Sequence, residues 1–327
     1  MPPEVNEVAG ARARAGEDRR DVRRREDSME TQLPPRRLHG WLVLCAAATA
    51  LAAPPSLAAA PAPAPASAPA NADDAQVAAL RKGAAAFARL EQEDVAMLSR
   101  ALDALQADTA LVELFRARDR EGLLARALPA FEELKRLKHV THWYFLDPEP
   151  ARTCFLRVHA PQLHGDVVQR ETFSQAIATQ RIGYGKELGK TAFALRVVKP
   201  IFVGKQVVGY MELGEEIDHF LERMRAETGD DYGVLVDKAH VDRKELARVR
   251  GEDRWDERPE VVLVDSTIWT EQIIELGRPL AQIPDGGVLI GTWRVGARQF
   301  VGGAFPIRDA RGRIAGALFV RHDLSRP

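Results

Sequence analysis

Apolar residues recur along this chain with two different periods, and the change of period divides it. Between about Ala75 and Lys138 the period is helical: Leu80, Ala84, Phe87 and Leu90 share one face, as do Leu98, Leu102 and Leu105. A second helical piece, REGLLARALPAFEELKRLKH, carries Leu123, Leu124, Leu128, Phe131 and Leu134, and Pro129 is expected to kink it. From His142 onward the period shortens toward two, and short β-type runs alternate with turns. Asp147-Pro148-Glu149-Pro150 is turn chemistry between two strands. Asp166 is placed to cap a helix over VVQRETFSQAIATQ. Phe193–Val198 and Gln206–Leu213 are expected to form a hairpin around Val203-Gly204-Lys205. Gly214-Glu215-Glu216 is then expected to open a helix over IDHFLERMRAET.

After Thr228 the pattern repeats. YGVLVD and EVVLVDS are strand-like, IWTEQIIELGRP is helical or irregular, and GGVLIGTW, ARQFVGGAFPI and RIAGALFVRH are three closing strands. Pro200-Ile201, Gly204-Lys205 and Gly209-Tyr210 parallel Pro306-Ile307, Gly312-Arg313 and Gly316-Ala317. That offset of about one hundred residues is the size of one small α/β unit, so two related modules in tandem are expected behind the helical region.

The charged positions add the chemistry. In TCFLRVH, strict alternation puts Phe155, Arg157 and His159 on one face and Cys154, Leu156 and Val158 on the other. Arg196 interrupts the apolar run FALRVVKP, and Glu212 interrupts VVGYMEL. A charge inside a strand core is costly unless something pairs it. One reading makes Arg157, His159, Arg170 and Arg196 a clamp for an anion, because guanidinium offers planar bidentate donors for carboxylate. Trp143, Phe145, Phe173 and Tyr210 would wall the site, and Asp166 would border it. Glu212 would receive a ligand amine, which admits an amino acid or amine beside a plain carboxylate. The other reading pairs the arginines internally with Asp166, Glu187 and Glu212. Both stay open on the sequence.

Composition narrows the classes. The formal net charge of −1 gives no basic field for nucleic acid. Cys45 and Cys154 are not at metal-ligand spacing, and Cys154 is expected in the core. No G-x-S-x-G, H-E-x-x-H, P-loop or C-x-x-C-H occurs, and GYGKELG misses the dinucleotide fingerprint. His139 and His142 lie three apart with no third ligand at useful spacing. No cofactor, resident metal or enzymatic activity is therefore expected.

At the N-terminus, residues 1–40 lack apolar periodicity, and Met29 is an alternative start. WLVLCAAATALAA, residues 41–53, has the length of a signal-peptide apolar core and is too short to span a bilayer. SLAAA suits cleavage near Ala60, so export is expected, with tethering by an uncleaved segment as the alternative. PAPAPASAPANADD, residues 61–74, is an extended spacer.

THWYFLDP, FLRVHAPQLHGDVVQRETF, ELGKTAFALRVVKPIF and VVGYMELGEEIDHFLERM resemble the double Cache family, the double sensory domain of bacterial two-component sensor kinases. The likeness runs from about Ala75 to Leu324. It implies an α+β fold in which a long N-terminal helix precedes two tandem PAS-like (Cache) modules with antiparallel sheets. The expected division is 1–60 (N-region and signal peptide), 61–74 (linker), 75–138 (scaffold helix region), 139–227 (first module) and 228–327 (second module). It further implies an extracytoplasmic protein that binds a small polar or anionic metabolite in its first module. The sequence shows no transmitter after VRHDLSRP, so the expectation is either a separate membrane signalling protein as partner or action as a soluble binding protein. The competing expectation is an interaction module with a vestigial pocket and internal salt bridges.

Overall fold

The structure is a computed structural model that describes residues 72–189, 193–250, 255–268, 276 and 278–326. The N-terminal region, the expected targeting segment, most of the Pro/Ala spacer and the greater part of IWTEQIIELG lie outside the described residues.

Helix α1, Ala72–Gln106, is 35 residues long and so extends about 50 Å. It starts three residues before the expected boundary at Ala75, with Asp74 in its first turn, where the positive end of the helix dipole favours a carboxylate. Its apolar stripe of Leu80, Phe87, Leu90, Leu98 and Leu102 is fully or almost fully buried. The stripe ends where Asp108 caps a short helix α2, Thr109–Arg116, accepting from the Ala110 and Leu111 N–H groups at 3.2 and 3.3 Å. Asp119 likewise caps α3, Arg120–Lys138, through the Gly122 N–H at 2.9 Å. Pro129 lies inside α3 without ending it, and the helix stops at left-handed His139, φ 56°.

The next strands are β1 (Val140–Leu146) and β2 (Cys154–Arg157), followed by helix α4 (Glu171–Thr179). Strands β3 (Gly183–Leu188), β4 (Phe193–Val203) and β5 (Gln206–Glu216) complete the first sheet. Helix α5 (Asp218–Thr228) leads to β6 (Asp231–Asp237), α6 (Arg243–Arg250), β7 (Val261–Ser266), β8 (Val288–Val295), β9 (Arg298–Arg308) and β10 (Ile314–Asp323). The sheets have spatial orders β2-β1-β5-β4-β3 and β7-β6-β10-β9-β8, all antiparallel. Renumbered from its own first strand, the second order is the same as the first. The fold is α+β: one long helix with two five-stranded antiparallel sheets.

The repeat extends to register. Pro200 faces Tyr210 and Ile201 faces Gly209 in the first sheet; Pro306 faces Ala317 and Ile307 faces Gly316 in the second. Helix α1 packs across both. Gly83 approaches Tyr232 and Val320 of the second sheet so closely that a Cβ there would lie 2.7 Å from the tyrosine ring. Further along, Lys186 of β3 pairs with Glu91, and Lys199 of β4 pairs with Asp103 at 2.7 Å. The helix-facing sides of both sheets join one core that includes Trp143, Phe145, Leu213, Tyr232, Val234 and Leu318.

Three local expectations are corrected. Gly214, Glu215 and Glu216 are the end of β5, and the helix begins only at Asp218. Helix α4 begins at Glu171 with Arg170 at its N-cap, so Asp166 caps nothing. A register shift between Phe145 and Leu146 breaks alternation in β2. Cys154 therefore packs on the face away from α1, while Phe155 turns toward Phe115 of α2 with ring centroids 5.5 Å apart.

Candidate functional site

The candidate site is the face of the first sheet turned away from α1. Alternation along β4 and β5 sends Arg196, Val198, Tyr210 and Glu212 to this face and Leu195, Val197, Met211 and Leu213 to the helix side. Tyr144 of β1 sits between Arg157 of β2 and Glu212 of β5 in register, so these three side chains form one row. Segment 158–170 folds back over the row. It is anchored by backbone bonds from Cys154 N to Asp166 O (2.9 Å), Gly165 N to Cys154 O (2.8 Å) and Val168 N to Arg152 O (2.8 Å). Helix α4 closes the side by packing Phe173 edge-on against Tyr210, with centroids 5.2 Å apart.

Glu212 is the centre. Its side chain has no exposure, and its Oε1 accepts from Arg196 Nη1 at 2.6 Å and Arg170 Nη1 at 2.7 Å. Its Oε2 is buried with no hydrogen-bond partner. Arg170 also donates to Tyr144 Oη at 3.1 Å and lies over that ring at 4.5 Å. Glu187 Oε1 accepts from the Thr172 N–H (2.9 Å) and hydroxyl (3.1 Å) at the start of α4. Its Oε2 lies 3.7 Å from Arg196 Nε and 4.0 Å from Arg170 Nε. Arg157 clasps Asp166 with two bonds of 2.7 and 2.6 Å and donates to the Leu163 carbonyl at 2.8 Å.

Three arginines thus face three carboxylates. Burial alone would raise Glu212, but Arg170 and Arg196 outweigh it and hold the carboxyl below its usual range. Asp166 is lowered in the same way, its burial outweighed by Arg157. The neighbouring histidines respond oppositely. Burial first, then the arginines, push His142 down to about 2 and His159 to about 4, so both are neutral at pH 7. His159 Nδ1 accepts from the Trp143 N–H at 3.2 Å, which keeps that nitrogen unprotonated.

The structure brings together Arg157, His159, Asp166, Arg170, Phe173, Arg196, Tyr210 and Glu212. It does not bring Trp143 and Phe145 to this face. Both are fully buried on the helix side with Leu213 and Met211, because HWYFL is apolar on both faces and the odd positions point to α1. Tyr144, which sequence reasoning passed over, takes the place assigned to them. Alternation with Glu212 and Arg157 in register was the signal that would have found it. His139 and His142 do not converge: His139 stacks on His219 at 4.5 Å, and His142 lies 4.8 Å from the ring of His159. Cys154 is buried, its thiol pushed up to about 12 by burial, consistent with a core residue and not a nucleophile.

No curated protein matches the chain. Among solved structures it is similar to the periplasmic domain of Vibrio cholerae LuxQ, with 12% identity, a TM-score of 0.44, and coverage of 74% of this chain and 99% of that one. It is also similar to the ligand-binding domain of the Campylobacter jejuni chemoreceptor Tlp3, crystallised with 4-methylisoleucine (10% identity, TM-score 0.43, 77% and 92% coverage). A third similar structure is the sensor domain of the V. cholerae histidine kinase DctB (14% identity, TM-score 0.41, 76% and 98% coverage). The family model described as the double sensory domain of two-component sensor kinase matches residues 75–253, more than half of the sequence. The chain belongs to this family, the double Cache sensory domains.

Proposed function

We propose that the protein is an exported sensory domain that binds a small metabolite with a cationic amine, such as an amino acid, on the Glu212 face of its first sheet. The observation that carries this reading is Glu212 Oε2, a carboxylate oxygen with no exposure and no partner between two arginines. An unpaired buried carboxylate oxygen is costly, and an ammonium group would satisfy it. A ligand carboxylate would take Arg157 in place of Asp166, whose side chain is 45% exposed and free to turn to solvent. Arg196, Arg170 and Tyr144 would orient the ligand, with Phe173 and Tyr210 as its apolar walls, and no chemical step is needed.

Binding on this face would move α4, and α4 touches the second sheet's closing hairpin. Gln175 donates to the Ala310 carbonyl at 3.0 Å, and Arg311 lies 3.2 Å from Glu171. That contact is the route we infer from ligand to second module and then to a separate membrane signalling protein. No helix among the described residues is long and apolar enough to cross a membrane.

A second reading is favoured by the bidentate Arg157–Asp166 bond and the Arg170–Glu212–Arg196 triad. In it the charges satisfy one another and the face is an internal brace. A thermal-shift screen against carboxylates, amino acids, amines and nucleobases separates the two. Ligand at a hundred times its dissociation constant stabilises by about 2.7 kcal/mol, or roughly 5–10 °C for a domain of this size. A hit lost in Arg157→Ala and Arg196→Ala supports the sensor. Silence across the panel, with both variants themselves strongly destabilised, makes the arginines struts.

A further inference from the structure

Away from the arginine network, a second cluster forms where α1, β5 and α5 meet. Asp94 comes from α1, Glu215 from the end of β5 and His219 from the first turn of α5. One ligand atom from each lies within 4.8 Å of the other two. Glu215 has no exposure, and neither of its carboxylate oxygens meets a protein N–H donor; the group beside it is the Asp94 carboxyl. Asp94, 7% exposed, is a second carboxylate beside it. A buried carboxylate without a donor is unstable unless a proton or a cation joins it.

The histidine is set up for the cation. His219 Nδ1 lies 2.9 Å from the Glu216 carbonyl, so it donates its N–H there and leaves Nε2 directed at the carboxylates. A metal-bound imidazole is usually fixed by such a bond from its other nitrogen to a backbone carbonyl. The ring is held further by stacking on His139 at 4.5 Å with 12° between planes. Nε2 is 3.2 Å from Asp94 Oδ2, the distance a proton bridges when no ion does. Arg223 donates to Asp94 at 3.1 and 3.2 Å and is half-exposed, so it can stay as an outer partner that orients the carboxylate.

We propose that Asp94, Glu215 and His219 bind one divalent transition-metal ion of the zinc type. One imidazole nitrogen and two carboxylate oxygens suit such an ion, with water as the fourth ligand. Calcium and magnesium prefer six or more oxygens and fit less well. The ion would pin α1 to β5 and to α5, the helix that leads from the first sheet to the second. The proposal is independent of the ligand reading for the Glu212 face.

The test uses the full chain, stripped with a chelator and titrated with zinc chloride. One zinc per chain is expected by elemental analysis and calorimetry, with a rise in Tm of about 5 °C or more. Cobalt should give the visible bands of a four-coordinate nitrogen and oxygen site. Loss of an outer partner alone weakens metal sites about 10- to 100-fold, so Glu215→Gln and His219→Gln should each weaken zinc by more than about 100-fold. Glu215→Gln keeps the side-chain shape and removes only charge, so its metal-free Tm should match or exceed that of the parent. Absence of stoichiometric zinc, or wild-type affinity in Glu215→Gln, would overturn the proposal and leave a proton shared by Asp94 and Glu215 as the occupant.

Discussion

The two sheets share topology and register, yet their faces turned from α1 are chemically opposite. Where β4 carries Arg196, β9 carries Gly302; where β5 carries Tyr210 and Glu212, β10 carries Ala317 and Phe319. Tyr144 corresponds to Gly233, each facing its Glu212 or Phe319 position. In the second sheet Trp293 fills the space above Gly302, where a Cβ would lie 2.6 Å from its ring. Phe319 joins Leu235, Leu263 and Ile283 in an apolar cluster. The centres of the helix-facing sides are apolar in both sheets, Trp143 matching Tyr232. One backbone therefore supports a charged centre on one face and an apolar centre on the other, whose Arg321–Asp231 pair lies beyond Phe319, and the difference rests on a few side chains. This is why the sensory reading is placed on the first sheet.

The largest effect should come from putting the first sheet's charge into the second. Phe319→Glu buries a carboxylate opposite Ala304 and beside Gly302, which holds the position that Arg196 has in the first sheet, and also loses an aromatic ring worth about 3–5 kcal/mol. The total loss should exceed about 5 kcal/mol, since the carboxylate adds its own desolvation cost. Chemical denaturation followed by circular dichroism should find the second sheet's cooperative transition gone. A loss under about 2 kcal/mol would mean that this face is not the dry core its packing indicates.

The reverse change is milder because it removes charge. Glu212→Leu leaves Arg170 and Arg196 facing each other without their shared carboxylate, and breaking a buried pair from one side costs about 3–5 kcal/mol. Adding Arg196→Met should recover part of that loss, because replacing both partners by apolar groups is often neutral or better. If the double variant is no more stable than the single one, the triad is not the unit that governs this face.

Acid should test the same face through its histidines. His142 and His159 have folded values near 2 and 4, below the ordinary 6.5. The unfolded chain therefore takes up protons below about pH 6.5 while the folded chain does not, and folding stability falls as pH falls. The loss accrues between about pH 6.5 and 4 for His159 and continues toward 2 for His142, at no more than about 1.4 kcal/mol per pH unit for each. Denaturant titrations at pH 7, 6 and 5 should show this slope, and His142→Gln or His159→Gln should reduce it. A slope left unchanged in both variants would show that burial and the arginines do not hold these rings neutral.

How much of this was legible depends on what each residue needs from its neighbours. The Pro200/Tyr210 and Pro306/Ala317 parallels predicted the repeat because register is fixed by local hairpin geometry, and the structure keeps them opposite one another. Arg196 and Glu212 stood out because each breaks an apolar run. Trp143 and Phe145 were misplaced because β1 is apolar on both faces, so alternation there carries no contrast. Phe155 was misplaced by a register shift that no sequence pattern marks. Glu215 was hidden by its own context, since Gly-Glu-Glu ahead of an amphipathic run looks like a solvated helix start. Only the approach of Asp94, more than one hundred residues earlier, makes it a buried cluster.

The smallest expected effect bears most directly on access to the charged face. Asp166→Asn removes the carboxylate that holds Arg157, but the pair is near the surface, with the Asp166 side chain 45% exposed. Exposed pairs contribute about 0–1 kcal/mol, so global stability should change by less than about 1 kcal/mol. Local behaviour should change more. Segment 158–168 is held over the face by this clasp and a handful of backbone bonds, and its amides should exchange several-fold faster in the variant while those of β4 and β5 do not. The freed Arg157 would then be available to a ligand carboxylate, so any carboxylate found to bind the parent should bind the variant more tightly. A loss above about 2 kcal/mol, or unchanged exchange in the segment, would make the clasp a structural strut and bring the two sheets closer in purpose than their side chains suggest.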